Sequence, residues 1–294
     1  MTAEHAGAEA ASQKRRTVTP DDEAHRELRH DHPREEPQKS YHTVLEQQMA
    51  QAEEELERPA SALLLSGLTA GLDVGFGPLA MAVLMTSTRT VFPKPVQELL
   101  AANLYAVGFI LVVMGRSALF TEQTASAVGP VLAGRVGLGR LLRLWSLVVV
   151  ANVAGGALFA LFATRVGTGM GIADASAFGE LAGKLVTQSS PVMLASAIGA
   201  GWLMGLLAWL VVAARDSVSQ LAVVWIITFV LGYLGLHHSI AGTVEVIAGV
   251  FVGQGATLAD YARFIVLAIL GNALGGAFFV AALKFAHIRQ SASA

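Results

Sequence analysis

Apolar residues reach this chain in long runs separated by short polar joints, at about 61–87, 96–133, 138–164, 190–214, 218–252 and 261–286. Each run is long enough to cross a bilayer, because ~20 helical residues at ~1.5 Å rise span the hydrocarbon core. The second and fifth runs are too long for a single crossing. Polar residues interrupt both, GRSALFTEQTAS at 115–126 and HHSIAGTVE at 237–245, so the pattern predicts that the second and fifth membrane helices are broken at those residues. Unwound backbone at membrane depth survives only where protein buries it or it lines a wet cavity, so two such breaks predict a pathway.

Ahead of the first run the pattern changes twice. Leu45, Met49, Ala52 and Leu56 recur at spacings of four, three and four on an acidic background, which predicts an amphipathic juxtamembrane helix over 43–58, ending before Pro59. Residues 1–42 carry almost no large apolar side chains, too few to offset the entropy of ordering, and are expected to be a disordered acidic tail. The remainder, 59–289, reads as a six-span transmembrane domain.

Charge sharpens this division. The chain is 54% hydrophobic and 14% charged, and its first 60 residues hold eight of the 20 Lys and Arg and 14 of the 22 Asp and Glu. The tail is therefore net −6 and the rest net +4, which argues against a nucleic-acid partner and for a membrane domain with basic loop ends. The cluster Arg135, Arg140 and Arg143 marks one side of the membrane and predicts both termini on the cytoplasmic side of a multi-pass protein of the inner, or plasma, membrane. The start of the chain has no apolar core behind its basic residues, so no cleaved secretory signal is expected. With no cysteine there is no disulfide and no thiolate ligand.

The apolar runs also repeat. Asn152–Phe159 (NVAGGALF) and Asn272–Phe279 (NALGGAFF) agree at five of eight positions, 120 residues and three runs apart. An odd number of crossings per repeat turns the second copy upside down, so the reading is an all-α membrane protein with six transmembrane helices in an inverted 3+3 repeat. The paired glycines are expected to let helix backbones approach closely.

Ionisable residues at membrane depth are costly and usually face a bundle interior or a water-filled cavity. Here they are Asp73, Arg116, Glu122, His237, His238 and Glu245, and the inverted repeat would bring the two broken segments together near the midplane. One histidine of the pair is expected to offer a proton or a donor to a passing solute, the alternative being a core imidazole satisfied by a carbonyl or hydroxyl. Arg116 and Glu122 are expected to form an ion pair or a carbonyl cap that steadies the first break. The half-helices starting near Thr121 and Ser239 would turn N-terminal partial charge and free N–H groups toward the pathway. No HExxH motif is present and no further histidine lies within another span except His287 near an end, so neither a metal site nor a cofactor is expected. No nucleophile, base and orienting group share a recognisable spacing, and an enzyme is not expected.

Several of these residues resemble the formate/nitrite transporter family: Leu119-Phe120-Thr121 in the first break with Tyr105 and Phe109 before it, Asn152 with Gly155, Lys184, His238-Ser239-Ile240-Ala241 in the second break, and Asn272 with Gly275. The likeness covers about residues 60–288. It implies an aquaporin-like protomer, a homopentameric ring in the lipid bilayer, and in each protomer a pore for small monovalent anions such as formate or nitrite; proton linkage through the central pore histidine is expected beside it. By position it implies that Thr121 lies in the mobile loop of the second span and faces His238, the central pore histidine. Tyr105, Phe109, Leu119 and Leu231 fall at its apolar constrictions with Phe120 beside them, and Lys184 near its vestibule lysine, two residues further from the fourth span. His237, Arg116, Glu122 and Glu245 are further polar candidates for the pore. The sequence departs from the family at Ala118 and His237, where acidic residues are usual, at Gly242 and at Trp202. Two other readings stand beside anion transport: an aquaporin-like channel for water or small neutral solutes, and a non-transporting scaffold whose tail recruits a partner.

Overall fold

The computed structural model describes residues 39–282, with side chains to residue 278, and all regular structure among them is helical. Residues 1–38 of the expected 1–42 tail and the end of the last run, with Lys284, His287 and Arg289, lie outside the described residues; Tyr41 and His42, expected in the tail, instead open the first helix.

The first helix, α1 (Tyr41–Glu57), starts where the Ser40 hydroxyl accepts from the Thr43 amide and stops at Arg58, before Pro59. Val44, Met49, Ala52 and Leu56 are buried while its acidic face reaches basic residues of the 133–143 segment. Glu46 and Glu53 both meet Arg135 at 3.3 Å, Glu57 lies 3.7 Å from Arg140, and Arg143 donates to the Arg58 carbonyl. These ion pairs are solvent-exposed, so burial of the apolar stripe contributes most of the docking free energy.

The membrane-length helices follow. α2 (Ala60–Val74) and α3 (Phe76–Thr88) form one apolar stretch jointed at Gly75, where Pro78 lacks the N–H that would bond the Val74 carbonyl. α4 (Lys94–Met114), α7 (Leu138–Gly169) and α9 (Ser190–Ala213) are each long and apolar enough to cross a membrane. So is α12 (Leu258–Leu274) with its π-helical continuation, Gly275–Ala282. Between them lie the shorter α5 (Phe120–Ser126), α6 (Val128–Leu132), α8 (Ala175–Val186), α10 (Ser217–Tyr233) and α11 (Ser239–Val252). Large apolar side chains such as Leu65, Val150, Phe162 and Phe251 are exposed on these helices, a surface suited to lipid.

The interruptions fall at the start of the polar stretches that predicted them: the first opens with 115–126, and the second begins three residues ahead of 237–245. Helix stops at Gly115–Leu119 and at Leu234–His238, and 120–126 and 239–245 are the first turns of new helices, so Glu122 and Glu245 are helical. The two stops are built alike. The Ser117 amide reaches back to the Val112 carbonyl around left-handed Arg116 (φ 56°), and the Leu236 amide reaches the Leu231 carbonyl around left-handed Gly235 (φ 62°).

Glycines set the closest helix approaches, as expected from their small size. A Cβ on Gly71 would lie 2.2 Å from the Asn152 carbonyl, and one on Gly201 would lie 2.2 Å from the Asn272 carbonyl. The pair α2 with α7 is thus matched by α9 with α12.

Candidate functional site

The two asparagines of the repeated motif hold the two breaks. Asn152, fully buried in α7, accepts from the Phe120 amide at 2.8 Å and donates to the carbonyls of Gly67 and Ala118. Asn272, fully buried in α12, accepts from the Ser239 amide at 2.8 Å and donates to the carbonyls of Ala197 and His237. Two serines complete the match: Ser66 accepts from the Ala118 amide and Ser196 from the His237 amide. A break frees backbone groups that hydrocarbon cannot satisfy, and these side chains supply the missing partners. The sequence reading gave the motif only a packing role. The available signal was the match of Ser66, Ala70 and Gly71 with Ser196, Ala200 and Gly201, 130 residues apart.

Held this way, the starts of α5 and α11 meet. Thr121 Oγ1 lies 2.7 Å from His238 Nε2, both side chains buried. The ring's other nitrogen, Nδ1, accepts from the Ile240 and Ala241 amides at 3.2 Å each, so the imidazole is the N-cap of its own helix. A nitrogen accepting two N–H groups carries no proton. The neutral ring therefore bears its hydrogen on Nε2 and donates it to Thr121, leaving the Thr121 O–H free to donate elsewhere.

This arrangement corrects the expectation of free amides at the start of α11. Ser239 N–H goes to Asn272, Ile240 and Ala241 go to the His238 ring, and Gly242 goes to the His238 carbonyl. At the start of α5 the Phe120 N–H goes to Asn152, while the Thr121 N–H finds no acceptor among the described residues; the other donors left at this level are the hydroxyls of Thr121 and of Ser239, whose buried Oγ has no hydrogen-bond partner.

His237 is tied into the scaffold. Its Nε2 donates to the Leu185 carbonyl at 3.0 Å and its Nδ1 accepts from Ser196 Oγ at 2.8 Å, which is the core-imidazole alternative. The Arg116–Glu122 ion pair is not formed. Arg116 is exposed on the left-handed turn, and Glu122 is half-buried in the first turn of α5, both beside one cavity. Asp73 is half-buried near the end of α2.

Apolar groups surround the Thr121–His238 contact. Phe109 stands edge-on to the His238 ring at 4.9 Å between centroids, Tyr105 leans on Phe109 at 5.2 Å, and Leu119 and Leu231 are fully buried. Phe120 packs edge-on against Trp145 of α7 at 6.2 Å. A cavity of about 650 Å³ opens on one side of this plug, lined by Tyr105, Leu231, Lys184 and Glu245. A second, of about 460 Å³, opens on the other side between α1 and the first break, with Arg116, Ala118 and Glu122 in its wall. Lys184 is exposed in the last turn of α8 and gives its ammonium to Glu98 at 3.0 Å. No group of three or more potential metal ligands occurs among the described residues.

Comparison with known proteins places this geometry. A sequence model described as formate/nitrite transporter matches residues 42–286. The chain is 32% identical over 244 residues to the Inner membrane protein YfdC of Escherichia coli (strain K12), covering 82% of this chain and 76% of that protein. It is 29% identical over 250 residues to a probable formate transporter of Methanothermobacter thermautotrophicus, covering 79% and 90%. Two solved structures share the fold. One, an FNT family ion channel, has a TM-score of 0.74 at 20% identity, over 83% of this chain and 98% of that one. The other, a pentameric formate channel with formate bound, has a TM-score of 0.64 at 22% identity, over 79% and 98%.

Proposed function

The chain belongs to the formate/nitrite transporter family, and on that premise we propose that it passes small monovalent anions of weak acids, formate-like, through a pore within each protomer. The family is one of transporters, so no enzymatic role is assigned. The pore runs from the Lys184-side cavity, past Tyr105, Leu231, Phe109 and Leu119, across the Thr121–His238 contact, to the cavity beside α1. Phe120 supports the loop from the α7 side. The six spans form the inverted 3+3, aquaporin-like protomer, five protomers form the ring, and the protein lies in the inner membrane with both termini cytoplasmic.

The observation that carries this reading is the neutral pair at the centre. An anion entering a dry, apolar constriction loses hydration worth several kcal/mol or more, and a proton taken up by a weak acid removes most of that penalty. The doubly held Nδ1 favours His238 as a standing donor that polarises Thr121. Delivery of a proton by the ring would need a second proton on Nδ1 and the loss of both amide bonds. The Thr121 O–H then meets the solute, and proton linkage enters with the weak acid.

Flux in proteoliposomes tests this. Thr121→Val keeps the shape and removes the hydroxyl. A hydrogen bond to a neutral acid contributes about 0.5–1.5 kcal/mol, so formate efflux is expected to fall about two- to tenfold. Efflux equal to wild type at every pH would refute the role. Osmotic swelling with water and glycerol checks the neutral-solute reading: rapid swelling without formate flux would replace ours.

A further inference from the structure

The Lys184-side cavity contains a group that the central pair does not use. Glu245 is only 7% exposed, yet it lines this cavity. Among the described residues its carboxyl group has no hydrogen bond and no ion pair. The cavity's two ammonium groups are already engaged, Lys184 with Glu98 at 3.0 Å and Glu180 at 3.9 Å, and Lys94 with Glu180 at 3.4 Å. Three carboxyls thus face two lysines on the wall of a cavity that an anion must enter. An ionised Glu245 would leave that wall net negative; a protonated one leaves it balanced.

Position adds a second constraint. Glu245 is seven residues beyond His238, two helical turns on the same face of α11 and ~10 Å along its axis. A solute from this side meets Glu245 before it reaches Phe109. The titratable groups facing Glu245 across the cavity are Lys94, Glu98 and Tyr105 of α4, Glu180 and Lys184 of α8, and Tyr233 at the end of α10. On the opposite face of α11, Tyr261 of α12 meets Thr243, and His237 is held by Ser196 and the Leu185 carbonyl.

Resting on the transport reading above, we propose that Glu245 is the proton-exchange group of the Lys184-side cavity. Its carboxyl O–H bond breaks as the proton passes to the carboxylate oxygen of the incoming weak acid, giving the neutral acid and ionised Glu245. The neutral acid goes on through the apolar plug. Hydronium from the cavity water then restores the Glu245 O–H and leaves water behind. No oxidant or other reactant is involved.

The test is formate uptake into proteoliposomes holding the full chain, with protein-free liposomes subtracted, over a series of external pH values. Glu245→Gln keeps shape and neutrality but has no proton to give. Expected is a loss on the order of a hundredfold near neutral pH. That loss should shrink toward the wild-type rate as external pH approaches about 4, where formic acid arrives already protonated. Glu245→Asp, which retains a carboxyl, is expected to keep the wild-type pH profile at a lower rate. Three results overturn the proposal: wild-type uptake in Glu245→Gln, faster uptake near neutral pH as for a removed charge barrier, or a loss by the same factor at every pH in both variants. Wild-type protein that carries no formate at any pH would instead remove the transport reading itself.

Discussion

Asn272→Ala isolates the part of the site on which the rest depends. The amide is fully buried and makes three hydrogen bonds, from the Ser239 N–H at 2.8 Å and to the carbonyls of Ala197 at 2.8 Å and His237 at 2.9 Å. Ala197 lies within α9, where the helix gives its carbonyl another partner, so truncation there is mild. Ser239 N–H and His237 C=O belong to the break and have no helical partner. Two buried backbone groups left unpaired cost ~1–3 kcal/mol each, or ~2–6 kcal/mol together, with the lower end reached when water fills the space left by the amide. Thermal unfolding of the detergent-solubilised protein, followed by tryptophan fluorescence, should show that loss, and formate flux should fall with it because Ser239 and His237 flank His238.

Asn152→Ala removes the same three kinds of contact in the first break and should match Asn272→Ala to within about 1 kcal/mol. Asn272→Asp offers no rescue: it keeps an acceptor for Ser239 but sets a carboxylate oxygen against two carbonyls. The reasoning fails if Asn272→Ala unfolds and transports like wild type, or if Asn272→Asp does.

Two further expectations follow from the ends of the broken helices. Arg116→Gly should unfold as wild type does or at a slightly higher temperature, because glycine adopts the left-handed turn without strain; a lower unfolding temperature would show that the guanidinium, and not only its backbone, holds the first break. The Asp216 carboxylate caps α10 through the Ser219 hydroxyl and the Ser219 and Val218 amides, which hold it below its ordinary value of 3.8. A depressed value in the fold contributes stability above the ordinary value and loses it as pH falls through the folded one, so amide protection at the start of α10 should drop on acidification in the wild type but stay level in Asp216→Asn.

What the chain revealed of itself divides by sequence distance. The apolar runs, the stripe of α1 and the Asn-Gly-Gly repeat are local patterns, and they placed the helices and the close glycine contacts. The breaks were expected to run too far toward the C-terminus because polarity was used to mark them. Polarity continues through the first turns of the helices that follow, whereas the stops lie where the chain turns left-handed at Arg116 and Gly235. Arg116 misled for the same reason: a cation near a carboxylate reads as an ion pair, and nothing local says that its backbone is the part in use. The partners of Asn152 and Asn272 lie 32 to 85 residues away, so the motif showed only its packing half. His237 and His238 are neighbours of one residue type that no local pattern separates; the family resemblance set His238 against Thr121, and the fold pairs those two while it ties His237 to the scaffold.

That division between the two histidines bears on how tightly a solute can be held. A conducting site must bind well enough to admit its solute and weakly enough to release it. The backbone donors that could have made a tight anion cradle at the start of α11 are consumed by Asn272 and by the His238 ring and carbonyl, and the Nε2 hydrogen goes to Thr121. The centre therefore offers a solute little beyond the hydroxyl hydrogens and the single Thr121 amide in an apolar ring, a poor resting place for a bare anion and an adequate one for a neutral acid. Under the proposed function, discrimination by charge then falls to the cavities. On the Lys184 side both ammonium groups are bound to glutamates, and the side chain left uncommitted is the Glu245 carboxyl. Tight donors at the centre would trap the anion that the proton step is there to remove, so capping α11 with its own imidazole and placing an unpaired carboxyl ~10 Å away are two parts of one solution.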